Sequence, residues 1–168
     1  PSIDTDNPGR TDLVYHLVRQ QQLETVRSIP KTGLAVAIDL DEGLHPHSKH
    51  IVGDRLARLA LHEVYGEDVG AVSGPLFRAA TFAAGKATCT FDHAAGLHLA
   101  DGVESLCEIA GADGVFHPAE AVVEGEHLIV SNPVVPKPTA VRYAFRGQMP
   151  KVSLFGADGL PASPFASP

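Results

Sequence analysis

The chain has 168 residues, 44% of them hydrophobic and 20% charged, the composition of a folding globular protein and not of a disordered one. Its formal net charge is −7 with a pI of about 5.6, and its scattered lysines and arginines form no basic stripe to neutralise phosphates, so nucleic acid is not an expected partner. Nowhere do the roughly 18 consecutive apolar residues of a membrane helix occur, so no membrane partner is expected either.

In chain order, TDLVYHLVRQQQLETVRS from Thr11 to Ser28 predicts a helix, with Thr11 or Asp12 as N-cap and Leu13, Val14, Leu17 and Val18 on one face. Pro30 ends it. The run LAVAI, Leu34 to Ile38, follows Gly33 and is apolar throughout, which predicts a strand buried on both faces as in a parallel sheet. Asp39 closes that strand, and the loop DLDEGLHPHSKH leaves it. From Ile51 to Tyr65 the residues Val52, Leu56, Leu59, Ala60 and Val64 recur at helical spacing, Asp54 and Arg58 form an i, i+4 pair, and Gly66 is a natural stop. Helix, buried strand, loop and helix give the αβα rhythm of a doubly wound sheet. One strand is not a sheet, so the remaining strands are expected from another segment or chain.

Beyond Val69 the helical period gives way to short β-type runs separated by turn residues: FRAATF, KATCTF, LHLA, ESLCEIAG, EAVVEG, HLIVS, AVRYAF and KVSLF. Their spacing predicts a small antiparallel β-sandwich, with hairpin turns at GADG (111–114) and EGE (124–126), and with SNPVVPKP as an edge or crossover loop. The fold class is therefore α/β plus all-β, divided near Gly70 to Pro75 into residues 1–70 and 71–168. Cys89 and Cys107 belong to no CxxC pair, which excludes a zinc ribbon or a thioredoxin-like site. They pair in one disulfide or sit as two buried small hydrophobes, the second reading being preferred.

Functional groups of open α/β sheets gather at the carboxyl ends of the strands, which is where residues 39–50 lie. Within them His45 follows the carboxylates Asp39, Asp41 and Glu42 and precedes the stiffening Pro46. A hydrolase needs an imidazole held in one tautomer by a carboxylate, so that its other nitrogen can take a proton from a serine or water, and this segment offers those groups. His45, His47 and His50 with the neighbouring acids also offer metal-ligand types, but H-x-H-x-x-H across a proline-bearing loop matches no metal motif. No metal or other cofactor is expected, and His47 and His50 are read as solvent-exposed. Lys49 and Arg55 are candidate cations for a sugar carboxylate, Arg55 being read first as a helix-surface residue. Asp92 and His93 fit a turn into LHLA, and His16 and His62 lie on predicted helices without a special role. With no tryptophan, the chain lacks the aromatic platform of a carbohydrate-binding module.

The segment HPHSKHIVGDRLARLAL, His45 to Leu61, resembles the sialate O-acetylesterase pattern His-Pro-x-x-Lys-x-x-x-Gly-x-Arg-Leu-Ala, matched by His45, Pro46, Lys49, Gly53, Arg55, Leu56 and Ala57. Upstream RQQQLETVRSIPKTGLAVAID, and downstream SGPLF, EIAGADGVFHPAEAVVEG, VRYAF and GLPASPF, extend the resemblance over residues 13–168. It implies an SGNH-type esterase that removes acetyl groups from the hydroxyls of sialic acids or plant glycans, commonly outside the cytoplasm or in lysosomes. The fold it implies is the C-terminal part of an SGNH-type α/β/α domain followed by the β-sandwich, with His45 as general base.

Two departures from the family pattern matter. None of the serines stands in the strand-to-helix glycine elbow of a nucleophile, so the serine is expected from an N-terminal part of the same enzyme or from a companion chain. Gly43 stands where the family usually has an aspartate, which leaves Glu42 and Asp41 as candidate acids. Glu42, three residues before His45 as in the wider SGNH group, is preferred. A second reading makes the chain a non-catalytic β-sandwich fragment that binds glycan or a partner. In either case the exposed strand Leu34 to Ile38 predicts self-association or a companion chain.

Overall fold

The computed structural model describes residues 15–40, 47–147 and 151–167. Helix α1 spans Tyr15–Ser28 and α2 spans Lys49–Tyr65. Helix α2 ends as expected at Gly66, which adopts the left-handed conformation (φ 71°) and donates its N–H to the His62 carbonyl at 3.0 Å. Among the described residues nine strands follow: β1 (Leu76–Ala83), β2 (Lys86–Asp92), β3 (His98–Leu99), β4 (Cys107–Ala110), β5 (Phe116–Glu124), β6 (His127–Ser131), β7 (Ala140–Tyr143), β8 (Leu154–Phe155) and β9 (Phe165–Ala166).

The expected antiparallel β unit is present, but its strands do not divide into two separate facing sheets. Seven form one continuous order, β1-β2-β6-β5-β4-β7-β9, and β3 pairs with β8 alone. The curvature comes from β5, whose first half, Phe116–Ala119, pairs with β4 while Glu120–Glu124 pairs with β6. At the ends of the order the Phe77 ring of β1 stacks on Phe165 of β9, with centroids 4.0 Å apart and planes 6° from parallel. The Ser163 N–H donates to the Pro75 carbonyl at 2.9 Å, so the sheet nearly closes into a barrel.

Strict alternation builds the interior. Ala87, Cys89 and Phe91 point inward from β2, Leu128 and Val130 from β6, and Val141 and Tyr143 from β7. The β1–β2 hairpin turns at Ala84 and Gly85, both with positive φ (49° and 76°), a conformation matched to the twist of the strands. SNPVVPKP is the crossover from β6 to β7, as expected. Cys89 and Cys107 are free and buried in the core, which settles their two readings against a disulfide.

Helix α1 packs on this core through the face His16, Arg19, Gln20, Leu23, Val26 and Arg27, not through the face expected from its apolar spacing. Leu23 is fully buried in the β-core, whereas Leu17 and Val18 are exposed. Polar anchors decide the orientation: Arg19 donates to the Arg146 carbonyl at 2.8 Å, Arg27 to the Arg78 carbonyl at 2.9 Å, and Gln20 bonds Ala166. His16 meets Phe145 edge to face at 4.5 Å.

Leu34–Ile38 is a further correction. The segment belongs to no strand, since among the described residues no other strand pairs with it, and Ile38 already lies with Asp39 in a turn in which the Leu40 N–H donates to the Ala37 carbonyl at 3.4 Å. Val36 is buried and its apolar neighbours are half-buried, beside α2 and the stretch leading into β1. Gly33 approaches Leu59 so closely that a Cβ there would stand 2.9 Å from Leu59 Cδ2. Among the described residues no helix is long and apolar enough to cross a membrane.

Candidate functional site

His45, Glu42 and Asp41, the three candidate catalytic residues, lie outside the described residues, as does the proline that follows His45. The structure does describe what flanks them. Asp39 is in the turn that follows residues 34–37, and Arg55 is in the second turn of α2. Arg55 grips Asp39 in a two-pronged ion pair, Nη1 to Oδ1 at 2.7 Å and Nη2 to Oδ2 at 2.6 Å. Its Nη1 also donates to the Val36 carbonyl at 2.5 Å.

This overturns the reading of Arg55 as a helix-surface residue: its side chain is 11% exposed and that of Asp39 18%. The cause is geometric. Residues 34–37 run beside α2, so the unpaired carbonyl of Val36 and the Asp39 carboxylate both need a donor on that side. With its fork committed to Asp39, Arg55 is not available as a cation for a sugar carboxylate. Its Nε is buried and has no acceptor among the described residues. A small crevice opens here, lined by Leu34, Val36, Arg55, Ser73, Gly74 and Pro161 among others.

One turn on, Arg58 leaves its expected partner Asp54 and reaches the β-domain. Its Nη1 donates to Asp158 Oδ2 at 2.8 Å and to the carbonyls of Val69 and Ala71 at 3.1 and 3.0 Å. Asp158 Oδ2 also accepts the Ala71 N–H at 3.2 Å, and these bonds hold the carboxyl below its ordinary pKa. No sequence pattern links residues a hundred positions apart, so this tie was not foreseen.

His47, Lys49 and His50 are exposed. Among the described residues no three His, Cys, Asp or Glu side chains come together as a metal site would require. Asp92 pairs loosely with Arg78 at 3.6 Å on the surface, and His93 occupies a turn with φ 57°, as its reading as a turn residue implies. Burial pushes the Cys89 thiol up to about 12 and raises Cys107 as well, so neither is a thiolate nucleophile.

No family model matches the chain, and no curated protein matches it. Among solved structures it is similar to XAC1771, a carbohydrate acetylesterase from Xanthomonas citri, at 39% sequence identity and a TM-score of 0.83. The match covers 91% of this chain and 36% of that one, so the chain spans about a third of the length of the structure it matches. At this identity the likeness is one of sequence as well as of fold, and it supports a relationship to carbohydrate esterases.

Proposed function

We propose that this chain is the histidine-bearing, C-terminal part of a carbohydrate O-acetylesterase of the sialate O-acetylesterase type. The likeness to a carbohydrate acetylesterase over 91% of the chain carries this reading, together with the motif from His45 to Ala57. In it, residues 1–70 complete an SGNH-type α/β/α hydrolase domain and residues 71–168 form its accessory β-domain.

A serine supplied by the remainder of the enzyme attacks the acetyl carbonyl. His45 accepts the serine proton, with Glu42 or Asp41 orienting its ring, and returns the proton to the departing sugar oxygen. Water, deprotonated by the same histidine, then releases acetate from the acetyl-serine. No cofactor takes part. The unpaired segment 34–38 and the uncovered apolar side chains of α2 favour a companion segment that completes the sheet. By family resemblance the enzyme works outside the cytoplasm.

The test is hydrolysis of a chromogenic acetyl ester and an acetylated sugar, by this chain alone and after mixing with its serine-bearing part. The expected result is near-inactivity alone, activity on mixing, and its loss in His45→Ala. Strong hydrolysis by the isolated chain would place a nucleophile within it and overturn the proposal. Glycan binding that is indifferent to His45 and lost on altering the β-domain would favour the non-catalytic reading.

A further inference from the structure

We infer that Arg55 and Asp39 are positioning residues for the general base, an inference that rests on the reading of His45 above. They clamp the chain entering the His45 segment to the helix that leaves it. Only nine residues, 40–48, separate Asp39 from the first residue of α2. Arg55, six residues into that helix, reaches back across the gap with both Nη atoms on both Asp39 oxygens and one on the Val36 carbonyl. Both ends of the His45 segment are thereby fixed relative to each other.

The energetics point the same way. Taking a guanidinium and a carboxylate out of water costs much of what their attraction returns. An apolar pair of similar volume would hold α2 against the segment before it as well. What an apolar pair lacks is direction: the planar fork accepts a carboxylate in one orientation, which sets both the angle and the distance at which the chain departs from Asp39. A base that must meet a serine within hydrogen-bond reach needs that constraint. The pair also separates the acids by task, since Asp39 is engaged with Arg55 and the orienting role falls to Glu42 or Asp41.

The experiment uses the esterase assembled from this chain and its serine-bearing part, with a chromogenic acetyl ester as substrate. Arg55→Lys keeps the charge and loses the fork. The double variant Asp39→Leu with Arg55→Met keeps apolar volume, and so protects the fold where a single change leaves a buried charge unpaired. Both are expected to lower kcat roughly tenfold to a hundredfold while KM stays within about twofold. The His45 Cε1–H resonance of this chain should shift or broaden in both variants, with melting temperature little changed in the double one. Wild-type kcat and an unchanged His45 resonance in the double variant would overturn the inference. His45→Ala separates the two claims: if it keeps activity, the reading of His45 as base fails. If it loses activity while both clamp variants keep theirs, only the positioning role fails.

Discussion

The side-chain amide of Gln20 stands in for a neighbouring strand at Ala166, with Oε1 accepting the Ala166 N–H at 3.0 Å and Nε2 facing the Ala166 carbonyl at 3.5 Å. Strand β9 pairs with β7 on its other side, so this amide covers what is otherwise a bare edge. Gln20→Ala is expected to cost about 1 kcal/mol, the net worth of a hydrogen bond, and Gln20→Glu at least as much, because its second oxygen would face the Glu24 carboxylate and the Ala166 carbonyl where Nε2 now donates. Urea denaturation reads both, and equal midpoints for Gln20→Ala and wild type would show that the edge is satisfied by water.

Two glycines should respond in opposite directions to alanine. A Cβ on Gly74 would stand 2.1 Å from the Pro161 carbonyl oxygen, where backbone meets backbone and nothing flexible can yield. Gly74→Ala should therefore destabilise by about 3 kcal/mol or more, beyond the usual overpacking range because the closing seam of the sheet has to open. Gly53, inside α2, has nothing among the described residues within 4 Å of such a Cβ, and Gly53→Ala should stabilise the chain by about 0.5–1 kcal/mol. Thermal unfolding of the pair checks both signs.

The Asp158 link between α2 and the β-domain should be acid-sensitive. Its folded pKa is depressed below the ordinary 3.8 by the Arg58 and Ala71 bonds. The stabilisation is therefore complete above that value and is lost as pH falls through the lower, folded value. Asp158→Asn keeps a residue tolerant of the left-handed backbone (φ 55°) and removes the titration. Its stability should converge on that of wild type as the pH drops below 3.8, as followed by denaturant midpoints across pH.

Both thiols should be silent in the folded chain. Desolvation raises the pKa of Cys89 and of Cys107, and each lies in the core with no exposed surface to meet a reagent. Dithionitrobenzoate should label neither residue in buffer and both in strong denaturant. Rapid labelling under native conditions would mean that the β2 or β4 strand opens locally.

The β-domain was legible in the sequence because its code is local. Alternation along β2, β6 and β7, glycines at turns and proline in the crossover each act within a few residues. The strand Phe165–Ala166 was not legible, since two residues among prolines carry no period and are defined by their partner Tyr143 and by Gln20. Leu34–Ile38 failed for the converse reason: its composition fits a buried strand, but a strand is a relationship, and the backbone that would pair with it is not among the described residues. Leu17 and Val18 misled because apolar spacing was read as the packing face, while Arg19 and Gln20 had long side chains able to bond backbone carbonyls of the β-domain. For the site, the sequence motif singled out His45, which lies outside the described residues, while the Arg55–Asp39 ion pair became visible only once Asp39 and α2 were placed in space.

The outer face of α2 yields the last prediction. None of its residues is buried, and Leu56, Leu61, Val64 and Tyr65 are all more than two-fifths exposed, the last two at 73%. Leu17 and Val18 on α1 are likewise about half exposed, at 54% and 45%, and large apolar side chains left in water favour association. The isolated chain should therefore self-associate as concentration rises. Val64→Lys with Tyr65→Lys should weaken that association while changing stability by no more than about 0.5 kcal/mol, since neither side chain is packed. Sedimentation velocity at several concentrations distinguishes the outcomes. A wild-type chain that stays monomeric throughout would mean that these side chains are tolerated in water, and the case for a companion segment would then rest on the unpaired Leu34–Ile38 backbone alone.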